Sequence, residues 1–308
     1  MAMPEEFLAL AKKVNNWGRW GHEDEIGTLN FITDDVVLRA RDCIKKGKRF
    51  SLALPLSSDG PQIGAIPGRV NPSRTMVSLN RQLSRDPDGA RTSDDVVYMG
   101  LQCATHWDSL AHMSYRGVLY NEFPASSIDE DGAARCGVDK YKTLVTRGVL
   151  LDVARVKGVD RLEPGYAITP EDLSGAEAEA SVRVGEGDIV LLRTGQMQLL
   201  KGGDKQAYTA PAPGPGMAAA EWFHDRDVAA VATDNLTFEV YPAEMKGLRY
   251  PVHLLHLVEM GMTQGQNFDL DELAADCAAD GVYEFFLDAS PQPFIRGLGS
   301  PVNPVAIK

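Results

Sequence analysis

Long apolar runs are missing from this sequence, and so is any excess of positive charge. No stretch approaches the roughly 20 apolar residues that a helix needs to span a bilayer. The opening Met1-Ala-Met-Pro-Glu-Glu6 has no basic region followed by an apolar stretch, so a cytoplasmic protein is expected. With 31 Lys and Arg against 43 Asp and Glu, the formal net charge is −12, which opposes nonspecific attraction to phosphate backbones and anionic lipid surfaces. Neither nucleic acid nor a membrane is expected as partner, which leaves small molecules. Cysteine is scarce too. Cys43, Cys103, Cys136 and Cys277 are scattered, and none stands in the Cys-x-x-Cys spacing of a structural zinc site. All four are expected to be reduced and mostly buried.

What is present is an ordinary globular mixture, 44% hydrophobic and 24% charged, so the fold has to be argued from pattern. Short apolar runs bounded by turn residues or charges suggest strands at 148–153, 188–193, 228–233 and 283–287. A further strand is expected over Asp95–Gly100. Helices are expected between them. Thr33 caps one over about Asp34 to Lys46 with Gly47 as the stop; Thr169 caps another before Pro170; an alanine-rich one covers Met217 to His224. Asp269 and Glu272 have the form of a capping box for a helix that ends at Gly281. Ser57 to Arg74 is rich in Pro, Gly and Ser and reads as a long loop. The first thirty residues, with Trp17, Trp20 and the acidic run Glu23-Asp-Glu25, read as an N-terminal arm whose acidic run is a solvated turn. Interspersed strands and helices without a repeat or linker imply one α/β domain over 1–308 with a mixed sheet, 1–30 being the arm.

The segment that carries chemistry is Gln102-Cys-Ala-Thr-His106-Trp-Asp108-Ser-Leu-Ala-His112. Gln102, His106, Asp108 and His112 share one face of a strand, while on a helix 102 would neighbour 106 and 108 would neighbour 112. Imidazole nitrogen, carboxylate oxygen and amide oxygen are all competent ligands for a divalent metal. By spacing alone, His106 and His112 could equally be half-buried histidines bonded to Asp108 or to backbone. Strand alternation turns Cys103 to the other face, and no base is recognisable beside it in sequence, which argues against a nucleophilic thiol.

This segment resembles the motif His-x-Gly-Thr-His-x-Asp-x-Pro-x-His of the cyclase/kynurenine-formamidase family, which includes bacterial kynurenine formamidases and isatin hydrolases. Thr105, His106, Asp108 and His112 match; Gln102, Ala104 and Leu110 depart. Gly148–Asp152, Arg193-Thr-Gly195, Val231-Ala-Thr-Asp234, His253 ahead of 261–266, and the ending 299–304 follow in the family's order, so the likeness runs from about residue 22 to the C-terminus. It is closest to a longer branch with an extra N-terminal region. The resemblance implies the family's swivelling β/β/α domain, assembled as homodimers or homotetramers. It implies that His106 and Asp108 hold a metal, that Gln102 replaces a histidine ligand, and that His112 is the catalytic proton carrier. His253 and Gln266 fall where two-metal relatives place a His and a Glu for a second ion.

The departures carry consequences. Gln102 puts a harder oxygen where the family has nitrogen, which favours Mn²⁺ over Zn²⁺. Alternatively Gln102 is not a ligand and bonds a metal-held water. Neutral Gln266 leaves little anionic charge for a second ion, so one divalent metal per subunit is expected. His256 could take the place of His253 if the local element is helical, whereas His22 and His224 read as surface residues. The implied reaction is hydrolysis of a lactone or cyclic amide, or of a formamide, by metal-activated water, with His112 as general acid and base. Trp107, Tyr115 and Tyr120 could line a pocket for an aromatic substrate, or pack in the core. Two rivals remain: a metal-dependent lyase or isomerase of the same fold, and a non-catalytic small-molecule binding protein whose metal site has decayed.

Overall fold

The computed structural model describes residues 3–308. Nine strands form its central sheet: β1 (Arg49–Ser51), β2 (His106–Asp108), β3 (Val145–Asp152), β4 (Ile189–Arg193), β5 (Ala230–Thr233), β6 (Thr263–Gln266), β7 (Glu284–Asp288), β8 (Gly299–Pro301) and β9 (Val305–Ile307). Their spatial order is β1-β9-β7-β3-β4-β5-β6-β2-β8. The central strands β3 to β6 run parallel, and the pairings outside them are antiparallel. A parallel sheet must be covered on both faces, which is why its strands read as continuous apolar runs. Leu150 and Leu191 pack into one core cluster, while Val149, Leu151, Val190 and Leu192 pack into the cluster on the other face.

Five of the helices are α1 (Glu5–Lys13), α2 (Asp34–Arg41), α3 (Pro170–Glu179), α4 (Ala219–His224) and α5 (Asp271–Asp280). Helix α3 has the expected start: Thr169 and Asp172 form a reciprocal capping box with proline in the first turn. Helix α2 starts after Thr33 as expected but stops at Arg41, not Lys46. The chain has to turn there because the N–H groups of Lys46 and Lys48 both reach the Lys308 carbonyl, at 3.0 and 3.2 Å, which sets the register of β1 against β9. The capping box expected at Asp269 does not form. Leu270 is the cap residue of α5, and the Asp269 carboxylate takes the Lys201 ammonium at 2.5 Å instead. Gly281 ends α5 in the left-handed region, φ 71°, as expected.

The run 95–100 is not a strand of the main sheet. It belongs to a hairpin in which Ser73–Gln82 pairs only with Arg91–Tyr98, exposed along almost its whole length. The opening segment is more than an irregular arm: α1 buries Phe7 and Ala11, and the Trp17 indole N–H donates to the Val258 carbonyl at 2.7 Å. The acidic run is not a solvated turn either. Asp24 accepts from the Gly27 N–H at 2.9 Å and the Tyr120 hydroxyl at 3.0 Å, and Glu25 accepts from the Cys136 N–H at 2.7 Å. Among the described residues no helix is long and apolar enough to cross a membrane.

Beyond the carboxyl ends of β4 and β5, Asp234 ties two crossovers together. It accepts from the Thr194 N–H at 2.9 Å, the Thr194 hydroxyl at 2.6 Å and the Gly195 N–H at 2.8 Å, all buried. Asp234→Ala strands these donors away from water and is expected to cost roughly 2–4 kcal/mol, read as a lower urea midpoint at unchanged slope. An unchanged midpoint would show that the loops hold without this carboxylate.

Candidate metal centre

Strand β2 is only three residues long, yet its register fixes the site. Gln266 of β6 pairs with His106, and Gly299 of β8 pairs with Asp108. Cross-strand partners project to the same face, so Gln266 joins His106 and Asp108 there while Trp107 points the other way. Trp107 is fully buried, its indole N–H donates to the Ala289 carbonyl at 2.8 Å, and its ring packs edge-on against Phe268. The reading of Trp107 as a substrate contact is therefore corrected: alternation along β2 makes it core.

Asp108 is fully buried and its two oxygens differ. Oδ2 accepts from the Gln266 amide at 2.7 Å, with the Gln264 amide at 3.5 Å. Oδ1 has no hydrogen-bond partner and faces His106 Nε2 at 3.5 Å and His112 Nε2 at 3.8 Å. Burial opposes the charge on Asp108, and protonated imidazoles at His112, His106 and His253 would outweigh it and pull the carboxyl below its usual range. His106 Nδ1 bonds the Ala104 carbonyl at 2.7 Å, which assigns the proton to Nδ1 and leaves Nε2 as a buried lone pair without a partner. His253 is arranged in the same way: its Nδ1 bonds Glu239 at 2.5 Å, and its Nε2 stands 4.0 Å from Asp108 Oδ2. Glu239, fully buried, also accepts the backbone N–H groups of Val252 and His253.

These residues fit a divalent cation. Two ligands about 2.1 Å from one ion lie roughly 3.0–3.4 Å apart at octahedral or tetrahedral angles. The His106–Asp108 separation of 3.5 Å is close to that. Two facing, unpartnered acceptors in a dry interior are otherwise costly. Among the described residues no three His, Cys, Asp or Glu groups form a closed ligand set, so an ion here would complete its shell with other donors. Gln102 lies against β8. A side chain on Gly299 would collide with its amide nitrogen at 2.8 Å, so the Gln102 side chain lies over Gly299, on the sheet face that carries Asp108.

A cavity of about 440 Å³ opens onto His112, Met113, His253 and Gln266, with Tyr241 and Tyr250 on its outer wall. A larger depression of about 680 Å³ lies at Asp152, Arg193 and Asp271, where Arg193 pairs with both carboxylates. Burial drives the His112 imidazole below its ordinary pKa; Asp108 pulls it back, and His253, Arg69 and His106 reinforce the fall. His112 is therefore a neutral base on the cavity wall.

Tyr115 and Tyr120 are elsewhere. Tyr115 bonds Glu259 and packs on Phe7, and Tyr120 is bonded to Asp24. His256, the alternative to His253, is fully buried between Phe223 and Phe238, where burial first and His253 second push its pKa down to about 3. The thiol of Cys103 is buried and raised to about 11, the wrong direction for a nucleophile. Glu239 and Gln264 went unnoticed in the sequence because no local pattern ties them to Asp108.

His106→Ala is expected to abolish retention of stoichiometric metal by plasma mass spectrometry with unchanged circular dichroism. Glu239→Gln should weaken retention or activity about 10–100-fold by loosening His253. Full metal content in His106→Ala would remove this residue from the ligand set.

Comparison with known proteins places these features in a family. The sequence profile of the family described as "putative cyclase" matches residues 50–240. No functionally curated protein matches the chain. A solved structure described as a novel cyclase is 38% identical, covers 96% of this chain and all of its own, and superposes with a TM-score of 0.88. An isatin hydrolase bound to the product analogue thioisatinate is 19% identical over 84% of this chain and 91% of its own, TM-score 0.62. A potential metal-dependent hydrolase with cyclase activity is 17% identical over 84% and 98%, TM-score 0.52. The chain thus has the mixed-sheet fold of these proteins, and by the extent of the profile match and the close relative it belongs to the cyclase family.

Proposed function

We propose that this chain is a metal-dependent hydrolase that opens a lactone or cyclic amide, or cleaves a formamide, with His112 as general acid and base. The observation that carries the reading is the pair of unpartnered buried atoms, Asp108 Oδ1 and His106 Nε2, facing each other beneath a neutral histidine on a cavity wall. Membership of the cyclase family, and a fold shared with an isatin hydrolase, support it. A divalent cation at this place would supply Lewis acidity, polarising a carbonyl and making water acidic enough to attack near neutral pH. His106, Asp108 and Gln102 would hold it. One ion per subunit is proposed, because Gln266 presents an N–H to Asp108 Oδ2 where a second ion would need an acceptor. The oxygen of Gln102 favours Mn²⁺, with Zn²⁺ the alternative.

In this reaction His112 takes a proton from the attacking water and returns it to the departing nitrogen or oxygen as the acyl bond breaks. Asp108, anionic and enclosed, offsets the positive charge, and Glu239 holds His253 toward the same centre. His112→Ala is expected to keep the metal and lose hydrolysis by about 10²–10⁴-fold. Label from ¹⁸O-water should enter the product carboxylate; turnover without incorporation would point instead to a lyase or isomerase. Because the imidazole is depressed and acts as base, activity should persist as pH falls through 6.5 and be lost only below it. An acidic limb of kcat/KM above 6.5, or full activity in His112→Ala, would contradict the assignment.

A further inference from the structure

The cavity above His112, His253 and Gln266 carries an unbalanced charge. Its wall includes Arg69 and Arg249 and no Asp or Glu, in a chain whose net charge is −12. Elsewhere arginines near buried surface are claimed: Arg147 by Asp188, Arg193 by Asp152. Arg69, half-buried, and Arg249, exposed, both line the cavity and form no ion pair with any described residue. The loop that carries Arg69 is built rather than loose. The Gly100 N–H bonds the Val70 carbonyl at 3.1 Å, the Gln62 N–H bonds the Asn71 side chain at 2.9 Å, and the Gln62 amide bonds the Cys103 carbonyl at 2.9 Å.

Both guanidinium groups bear on the same aromatic rim. Burial raises the Tyr250 phenol, Tyr241 and the buried Glu239 add to the rise, and Arg249 and Arg69 each oppose it. Tyr250 stacks on Tyr241, ring centroids 6.2 Å apart with 23° between the planes. The cavity lining thus combines a proton carrier, two unpaired cations and a pair of stacked aromatic rings. Its volume of about 440 Å³ suits a small bicyclic molecule.

We infer that the substrate is an anionic lactone or cyclic amide: a planar ring system with a carboxylate substituent, held by Arg69 and Arg249 while the scissile carbonyl lies at His112. Guanidinium groups receive carboxylates by paired, charge-assisted N–H bonds, and a cationic cleft in an acidic protein concentrates such anions. The balance is simple. Water adds across the ring C–O or C–N bond as that bond breaks, His112 carries one proton from the water to the departing atom, and the new carboxylic acid releases the other proton to solvent to become a second carboxylate. This inference rests on the hydrolase reading for the position of the carbonyl, but anion binding by the two arginines does not require turnover.

The test uses manganese-loaded enzyme and two probes that differ only in charge, phthalide and 5-carboxyphthalide, with dissociation constants from calorimetry and hydrolysis followed in the same samples. The carboxylated probe should bind roughly tenfold or more tightly, by the usual strength of hydrogen bonds to charged groups, and lose that advantage in high salt. R69Q and R249Q should each weaken the carboxylated probe several-fold and leave phthalide unchanged, with R69K and R249K recovering part of the loss. Equal affinity for the two probes, equal losses for both in the variants, or no measurable binding of 5-carboxyphthalide would overturn the inference. Arginine-dependent binding without hydrolysis of either probe would sustain it while counting against the hydrolase reading.

Discussion

A carboxylate with no access to water must be balanced by what surrounds it, and Asp108 is balanced on one side only. Gln266 satisfies Oδ2. Oδ1 is left facing the lone pair of His106, one acceptor set against another. Burying such a pair without a cation or proton to share costs several kcal/mol, and the rest of the site is arranged around that imbalance. Ala104 and Glu239 fix the tautomers of His106 and His253 so that both present Nε2 toward the carboxylate. Thr105 locks the turn before β2 by donating to the Asn267 carbonyl and accepting from the Leu54 N–H.

The sheet explains why these groups stay in place. Strand β2 lies between β6 and β8, so His106 and Asp108 are held from both sides by backbone ladders, and Gly299 has no side chain because Gln102 fills that space. The cavity wall is assembled from connecting segments, the loop around Arg69 and the segment 241–250, laid over the strands of the sheet. Such a division lets the chemistry stay fixed while the wall sets which molecule enters.

Much of this was legible in the chain itself, for physical reasons that differ by residue. Strands β3, β4 and β5 are buried on both faces and announce themselves as apolar runs. His106 and Asp108 stand two apart on one strand, a pattern that local spacing reveals. Gln264 and the pairing of Gln266 with His106 depend on strand order across more than 150 residues, and Glu239 meets His253 across a loop, neither of which a local period encodes. Trp107 was ambiguous until the direction of β2 was known, because strand alternation says which residues oppose each other but not which side is the core. The hairpin 73–98 was half legible: Val96-Val-Tyr98 closes its second strand with a short apolar run, but both strands mix charge and polarity because both faces meet water, so no alternation marks Ser73–Gln82. Helix α2 ended early because the register of β1 with the C-terminal strand, not helix propensity, decides where the chain turns.

The most direct measurement is anomalous diffraction at the manganese edge from crystals grown with Mn²⁺. The account predicts one peak per subunit, about 2.0–2.3 Å from both His106 Nε2 and Asp108 Oδ1, with the Gln102 side chain close by. A map with no peak there, or with the ion bound away from Asp108, would contradict it.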